Sequence, residues 1–170
     1  MLPQPGISAH NPGMPGMQPA LQPVFERFTQ GPSFVAEAIA GVDPGQLNRP
    51  GNEGWSIRDV LVHLADTELV RSVRFRTMLV EDDPLLVEFD QDVWKKRLHY
   101  LWRSPEAAIS LFQQTRFANA ELLRQCDRPS WERTARHPEL GTVTVADILR
   151  RGVEHVDAHL EQIAELRGPR

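Results

Sequence analysis

Apolar residues recur at three- and four-residue intervals in four stretches of the chain, and no stretch shows the sustained alternation of a half-buried strand. The first stretch predicts a helix from Val24 to about Val42, interrupted at "QGPS", where Pro32 suits the first turn of a run through Phe34, Val35 and Ile39. The second predicts a helix to about Val80; Ser56 caps it, Asp59 stands three residues on, and Trp55 is placed to staple against Val60. Ser104 and Pro105 open a third, which runs to about Cys126 with Ala108, Leu111, Phe112, Thr115 and Leu122 on one stripe. Thr144, with Asp147 three residues on, opens the fourth, whose stripe is Val145, Ile148, Leu149, Gly152, Val156, Leu160 and Ile163.

Each apolar stripe must be covered by another element, so the fold class expected is all-α, a four-helix bundle. About twenty residues join the second and third helices, enough to cross the length of the bundle before the third begins. Residues 1–23 are dense in proline and glycine, which predicts a flexible N-terminal tail ahead of one helical domain over residues 24–170.

Composition narrows the function classes. The chain has 170 residues, 41% of them apolar and 25% charged, with a net charge of -4. That acidic balance disfavours nucleic acid as a partner. One cysteine, Cys126, allows no internal disulfide and suits a cytoplasmic location. No apolar run is long enough for a membrane span, and the N-terminus has no signal-peptide pattern.

Several polar residues fall where the stripes call for apolar ones. His155 and His159, four apart on the fourth helix, can bind one ion together; His159 lies inside the apolar stripe and His155 on its edge. A catalytic metal site commonly takes three protein ligands, and His63 on the second helix is the best third candidate. Glu68 and Arg71 lie inside the main stripe of that helix, and Asn119 lies on the stripe of the third. A buried carboxylate demands a partner or a function. Val62, Leu69, Val73 and Val80 form a second apolar stripe on the second helix, which predicts a homodimer through helix faces.

The order and spacing of "RPGNEGWSIRDVLVHLADTELV", "FDQDVW", "SPEAAISLFQQTRFANAELL" and "WERTARHPELGTVTVADILRRGVEHVDAHLEQI" resemble the DinB/YfiT-like family of metal-dependent enzymes, over roughly residues 45–163. The resemblance implies a four-helix bundle holding a divalent metal on His63, His155 and His159, with zinc the default and nickel or iron also suited to imidazole. It further implies a small-molecule substrate and either metal-dependent hydrolysis or a transfer or isomerisation using a low-molecular-weight thiol. Glu68 and Asp66 are the candidate acid/base groups beside His63, and Arg71, Arg74, Arg76 and Arg116 are available to a thiol's acidic groups. "RHPELG" resembles a recurring loop of the family, in which His137 is a candidate for the pocket mouth or a structural residue. A noncatalytic helical binding or stress protein with a structural metal is the alternative; it predicts a closed ligand shell with no pocket.

Overall fold

The helices that carry the candidate ligands begin where the caps predict. In the computed structural model, which describes residues 16–168, Ser56 and Asp59 close a reciprocal capping box, as do Thr144 and Asp147. A 3-10 turn at Pro19–Leu21 leads into α1 (Gln22–Ala38), followed by α2 (Pro44–Asn48), α3 (Ile57–Val80), α4 (Gln91–Arg97), a second 3-10 turn at Tyr100–Trp102, α5 (Pro105–Arg124) and α6 (Arg128–Glu132). A hairpin of β1 (Thr134–His137) and β2 (Gly141–Thr144) then precedes α7 (Val145–Arg167).

The long helices α1, α3, α5 and α7 form the bundle, and their most extensive interfaces close a ring in the order α3–α5–α1–α7. Two apolar clusters fill it. Phe25, Phe28, Phe75, Met78, Ala120, Leu123, Ile148 and Leu149 meet at one end. At the other end are Val35, Val60, Leu61, Leu64, Ala108, Phe112, Val156 and Ile163. The order of these residues along each helix shows that α3 and α5 run in the same direction and α1 and α7 in the opposite one. The connection from α3 to α5 therefore travels back along the bundle, as its length predicts.

Between the clusters lies a polar layer. Glu68 is 0% exposed and accepts hydrogen bonds from Arg71 Nη1 at 2.6 Å, Arg116 Nη2 at 2.7 Å and Asn119 Nδ2 at 2.8 Å. Glycines make room for the guanidiniums. A Cβ on Gly31 would stand 3.3 Å from Arg116 Nη1, and one on Gly152 would stand 3.0 Å from both Arg71 Nε and a ring carbon of Phe28. Pro32 belongs to the same arrangement. It sits inside α1, where it cannot donate to the carbonyl of Phe28, and Arg116 Nη1 donates to that oxygen instead at 3.0 Å. The interruption expected at "QGPS" is thus a continuous helix whose missing bond is supplied by another helix.

Two further expectations change, at the hairpin and at the N-terminal tail. Thr134–His137 and Gly141–Thr144 pair as an antiparallel hairpin that the apolar pattern does not predict, because four-residue strands are too short to display a period of two. The second stripe of α3 is not covered: Val62 is buried, whereas Leu69, Val73 and Val80 are exposed. Of the N-terminal tail, residues 1–15 lie outside the described residues. Met17 and Leu21 already pack in the cluster around Phe25 and Trp131, so burial begins before Val24. Among the described residues, no helix is long and apolar enough to cross a membrane.

Candidate metal centre

His63 on α3 and His155 and His159 on α7 come together in space. His63 Nε2 lies 3.0 Å from His155 Nε2, which lies 3.2 Å from His159 Nε2. Two lone pairs at such a distance repel, and one shared proton can relieve only one pair. A cation relieves all three: with ligand distances of about 2.0–2.1 Å, donor atoms stand about 2.9 Å apart at right angles and about 3.4 Å apart in a tetrahedron. The observed spacings fall in that range, so the donor set fits a divalent ion.

The surroundings keep these imidazoles neutral, as a ligand must be. Burial, followed by the nearby His159 and Arg71, pushes the pKa of His63 down to about 3. Burial and then Arg71 hold His155 well below the ordinary histidine value, and burial lowers His159. Gln162 Oε1 stands 2.8 Å from His159 Nδ1; as an acceptor it holds the ring proton there and leaves Nε2 free. Thr67 Oγ1 lies 3.4 Å from His63 Nδ1, and the enclosed Nδ1 of His155 has no hydrogen-bond partner among the described residues. Trp55 packs edge-on against the His63 ring at 5.5 Å between centroids, and Phe89 approaches it at 6.2 Å.

His63 and His155 open onto a cavity of about 890 Å³. Thr67 and Arg71 of α3 line it, with Arg74, the Glu88–Gln91 segment, His137 and Glu139 of the hairpin, and Arg151 and Glu154 of α7. Its size suits a small molecule.

The two candidate acid/base carboxylates do not reach it. Asp66 is held by Arg103 Nη1, at 2.9 and 2.8 Å from its two oxygens, and Glu68 is consumed by the polar layer. Neither joins the histidine group or lines the cavity, so both serve as partners for arginines. Arg116, classed by sequence with ordinary helix charges, is 1% exposed and buried in that layer, while Arg76 donates to Asn119 Oδ1. Of the four arginines considered for a thiol, only Arg71 and Arg74 line the cavity. Sequence reasoning passed over Thr67, Glu88, Phe89 and Gln162. Thr67 and Gln162 were detectable, standing four and three residues from ligand histidines on the same helices. Glu88 and Phe89 sit on a loop and carried no such signal.

Comparison with known proteins agrees with the fold. The family profile of the DinB superfamily matches residues 27–163. YfiT of Bacillus subtilis (strain 168), provisionally named a metal-dependent hydrolase, is 27% identical over 137 residues, covering 79% of this chain and 77% of that protein. A relative from Oceanobacillus iheyensis with the same provisional designation is 29% identical over 137 residues, covering 79% and 78%. The solved structure of Bacillus subtilis YfiT, described as a four-helix bundle of unusual topology, matches with a TM-score of 0.83 over 94% of this chain and 93% of that one. At 24% identity that likeness concerns the fold.

Proposed function

The chain belongs to the DinB superfamily, and from that membership we propose that it is a metal-dependent hydrolase of a small molecule, with His63, His155 and His159 as the ligands. One observation carries the reading: three imidazole nitrogens converge beside an open cavity, and among the described residues no fourth protein ligand joins them. A closed structural clamp would instead have a full protein shell. A divalent ion there supplies a Lewis-acidic charge that polarises a substrate carbonyl. Zinc is the default ion, with nickel and iron also suited to three imidazoles.

The protein's own contribution is to hold the rings neutral, to keep the His159 ring proton at Nδ1 against Gln162 Oε1, and to pack Trp55 and Phe89 against the His63 ring where it meets the cavity. Metal analysis of untagged protein tests the assignment. The wild type is expected to hold one ion per chain and His63→Ala, His155→Ala and His159→Ala to lose it; stoichiometric metal in all three variants sinks the idea. Loss of the ion also removes its mass-action stabilisation, about 4 kcal/mol at a thousandfold excess over Kd.

Arg71 and Arg74 on the cavity wall favour a second reading, transfer to or from a low-molecular-weight thiol whose carboxylates they would meet. Turnover of electrophiles by the loaded protein only when a thiol is added would select it over hydrolysis of esters and amides. The exposed Leu69, Val73 and Val80 support a homodimer, which a monomer mass by light scattering at micromolar concentration refutes.

A further inference from the structure

We infer that the cavity takes a small molecule bearing a carboxylate, which Arg71 grips with the guanidinium N–H groups it does not spend on Glu68. This names the substrate class of the hydrolysis proposed above, an ester or amide that is also a carboxylate, and rests on that reading. Arg71 is 7% exposed, yet it lines the cavity onto which His63 and His155 open. Its side chain makes one hydrogen bond among the described residues, from Nη1 to Glu68 Oε2 at 2.6 Å. Nε and Nη2 have no partner there, and neither is enclosed as Arg116 Nε is.

Charge balance in the polar layer leaves that fork short of an acid. Arg71 and Arg116 share the single carboxylate of Glu68, and Asn119 adds no charge, so the layer carries one positive charge in excess. Arg116 is buried and also donates to Phe28 O, so the excess falls to Arg71, the member that meets the cavity. A buried charge without a partner is costly, and a bound carboxylate supplies one.

Charges from the other elements on the wall do not fill the gap. Glu88, on the loop after α3, lies 3.0 Å from His137 Nδ1 of the hairpin. Arg74 donates through Nε and Nη2 to Val87 O. Asp90, Glu139 and Glu154 are exposed, where water and salt screen them, and so is Arg151. Among the described residues, Glu68 alone pairs with Arg71.

The shape and place of the fork select the ligand. Nε–H and Nη2–H of a guanidinium are parallel and match the two oxygens of a carboxylate. Gly152 of α7 leaves that side uncrowded: a Cβ there would stand 3.0 Å from Arg71 Nε and 3.1 Å from its Cδ. His63, Thr67 and Arg71 follow at four-residue steps on one face of α3, and all three line the cavity. Eight residues span about 12 Å of helix axis, and Arg71 leans back toward His63 to reach Glu68, three residues earlier. After burial, which is the larger cause, Arg71 lowers the pKa of His155, so its positive charge reaches the histidine cluster. A molecule with its carboxylate on Arg71 thus presents a carbonyl to that cluster across a short carbon spacer.

The test uses zinc-loaded full-length wild type, Arg71→Gln and Arg71→Lys. Arg71→Gln leaves Glu68 its bonds from Arg116 and Asn119, so the layer stays paired. Calorimetric titration compares succinamate with succinamide, in which a carboxamide replaces the carboxylate. Wild type is expected to bind succinamate about 10–100-fold more tightly, Arg71→Gln to lose that preference while keeping zinc, and Arg71→Lys, which restores the charge without the fork, to fall in between. In nitrogen NMR the Arg71 Nε signal, assigned by difference against Arg71→Gln, should shift with succinamate and stay in place with succinamide. On monomethyl and dimethyl succinate, Arg71→Gln should raise KM for the monoester alone, with kcat little changed. Equal binding of the two amides by wild type, an unmoved Nε signal, or a preference that survives in zinc-bound Arg71→Gln, the sign of a carboxylate on the metal, overturns the site. Losses shared by both esters mark a structural arginine and overturn it too. Monoester turnover without added thiol assigns the carboxylate to the substrate; turnover only with 3-mercaptopropionate present assigns it to a thiol and overturns the substrate class. Should neither variant fold, the wild-type titration and its Nε shift decide. A zinc-loaded wild type that turns over neither ester, while its Nε still answers succinamate, overturns the hydrolase reading and supports the carboxylate site.

Discussion

Replacing Glu68 with glutamine tests whether the polar layer acts as one unit. The substitution keeps the shape and a carbonyl for Asn119, but it removes the charge that Arg71 and Arg116 share. Glu68 is 0% and Arg116 1% exposed, so no water replaces the lost partner. Removing one member of a buried ion pair typically costs about 3–5 kcal/mol. With a urea m-value of about 2 kcal/mol/M, the midpoint should fall by about 1.5–2.5 M. As a control, Asp157→Asn breaks the Arg27 pair, whose members are 40% and 41% exposed, and should cost less than about 1 kcal/mol. The acid limb supplies a second signature. Burial would raise the Glu68 pKa, but Arg116 and Arg71 overcome it and hold it below the ordinary carboxylate value. The folded state thus binds fewer protons than the unfolded one, whose glutamate titrates near about 4.3, and stability is lost as pH falls through and below that value. Glu68→Gln should therefore flatten the acid limb of the wild type. A midpoint loss worth under about 1 kcal/mol with m unchanged, or an acid limb parallel to wild type, refutes the layer as described.

Other consequences can be measured on the same protein. An unfolded histidine protonates near about pH 6.5 and the folded, metal-free His63 only near about 3, so the unfolded chain gains the proton between these values. Metal-free protein should lose about 1.4 kcal/mol per pH unit below 6.5 from this residue, and none above. Metal-free His63→Asn should show a shallower dependence in urea melts between pH 6 and 5; equal slopes contradict the burial. Gly152→Ala, which in an ordinary helix interior gains up to about 1 kcal/mol, should instead cost about 1–2 kcal/mol because its Cβ would press on Arg71 Nε and Phe28. A raised unfolding midpoint would show that Arg71 yields.

Much of the fold was legible because its signals are local. Ser56–Asp59 and Thr144–Asp147 mark helix starts through bonds made within four residues, and the stripes follow from the helical repeat. The layer was half legible. Glu68, Arg71 and Asn119 stood out as polar residues in apolar stripes, yet the residue that completes the set, Arg116, was read as a surface charge. Only the crossing of α3, α5 and α1 shows that it fills the gap left by Gly31 and supplies the donor that Pro32 lacks. The hairpin was not legible, since its strands are too short for a pattern and the segment that pairs with it lies three helices earlier in the chain.

The misplaced carboxylates follow from the same physics. An acidic residue in an apolar stripe announces only that something compensates it, and a metal-site acid and an arginine's counter-ion look alike in sequence. Neighbourhood along α3 favoured Asp66 and Glu68 because they stand near His63 in the chain. A helix, however, turns about 100° per residue: the residue four on, Thr67, returns to the face of His63, whereas the third and fifth, Asp66 and Glu68, point to either side of it. The structure follows that geometry, with Thr67 beside His63 in the cavity, Asp66 on Arg103 and Glu68 in the layer. The hairpin and the loop it tethers bring His137 and Glu88 to the cavity, and the bundle helices bring the histidine cluster.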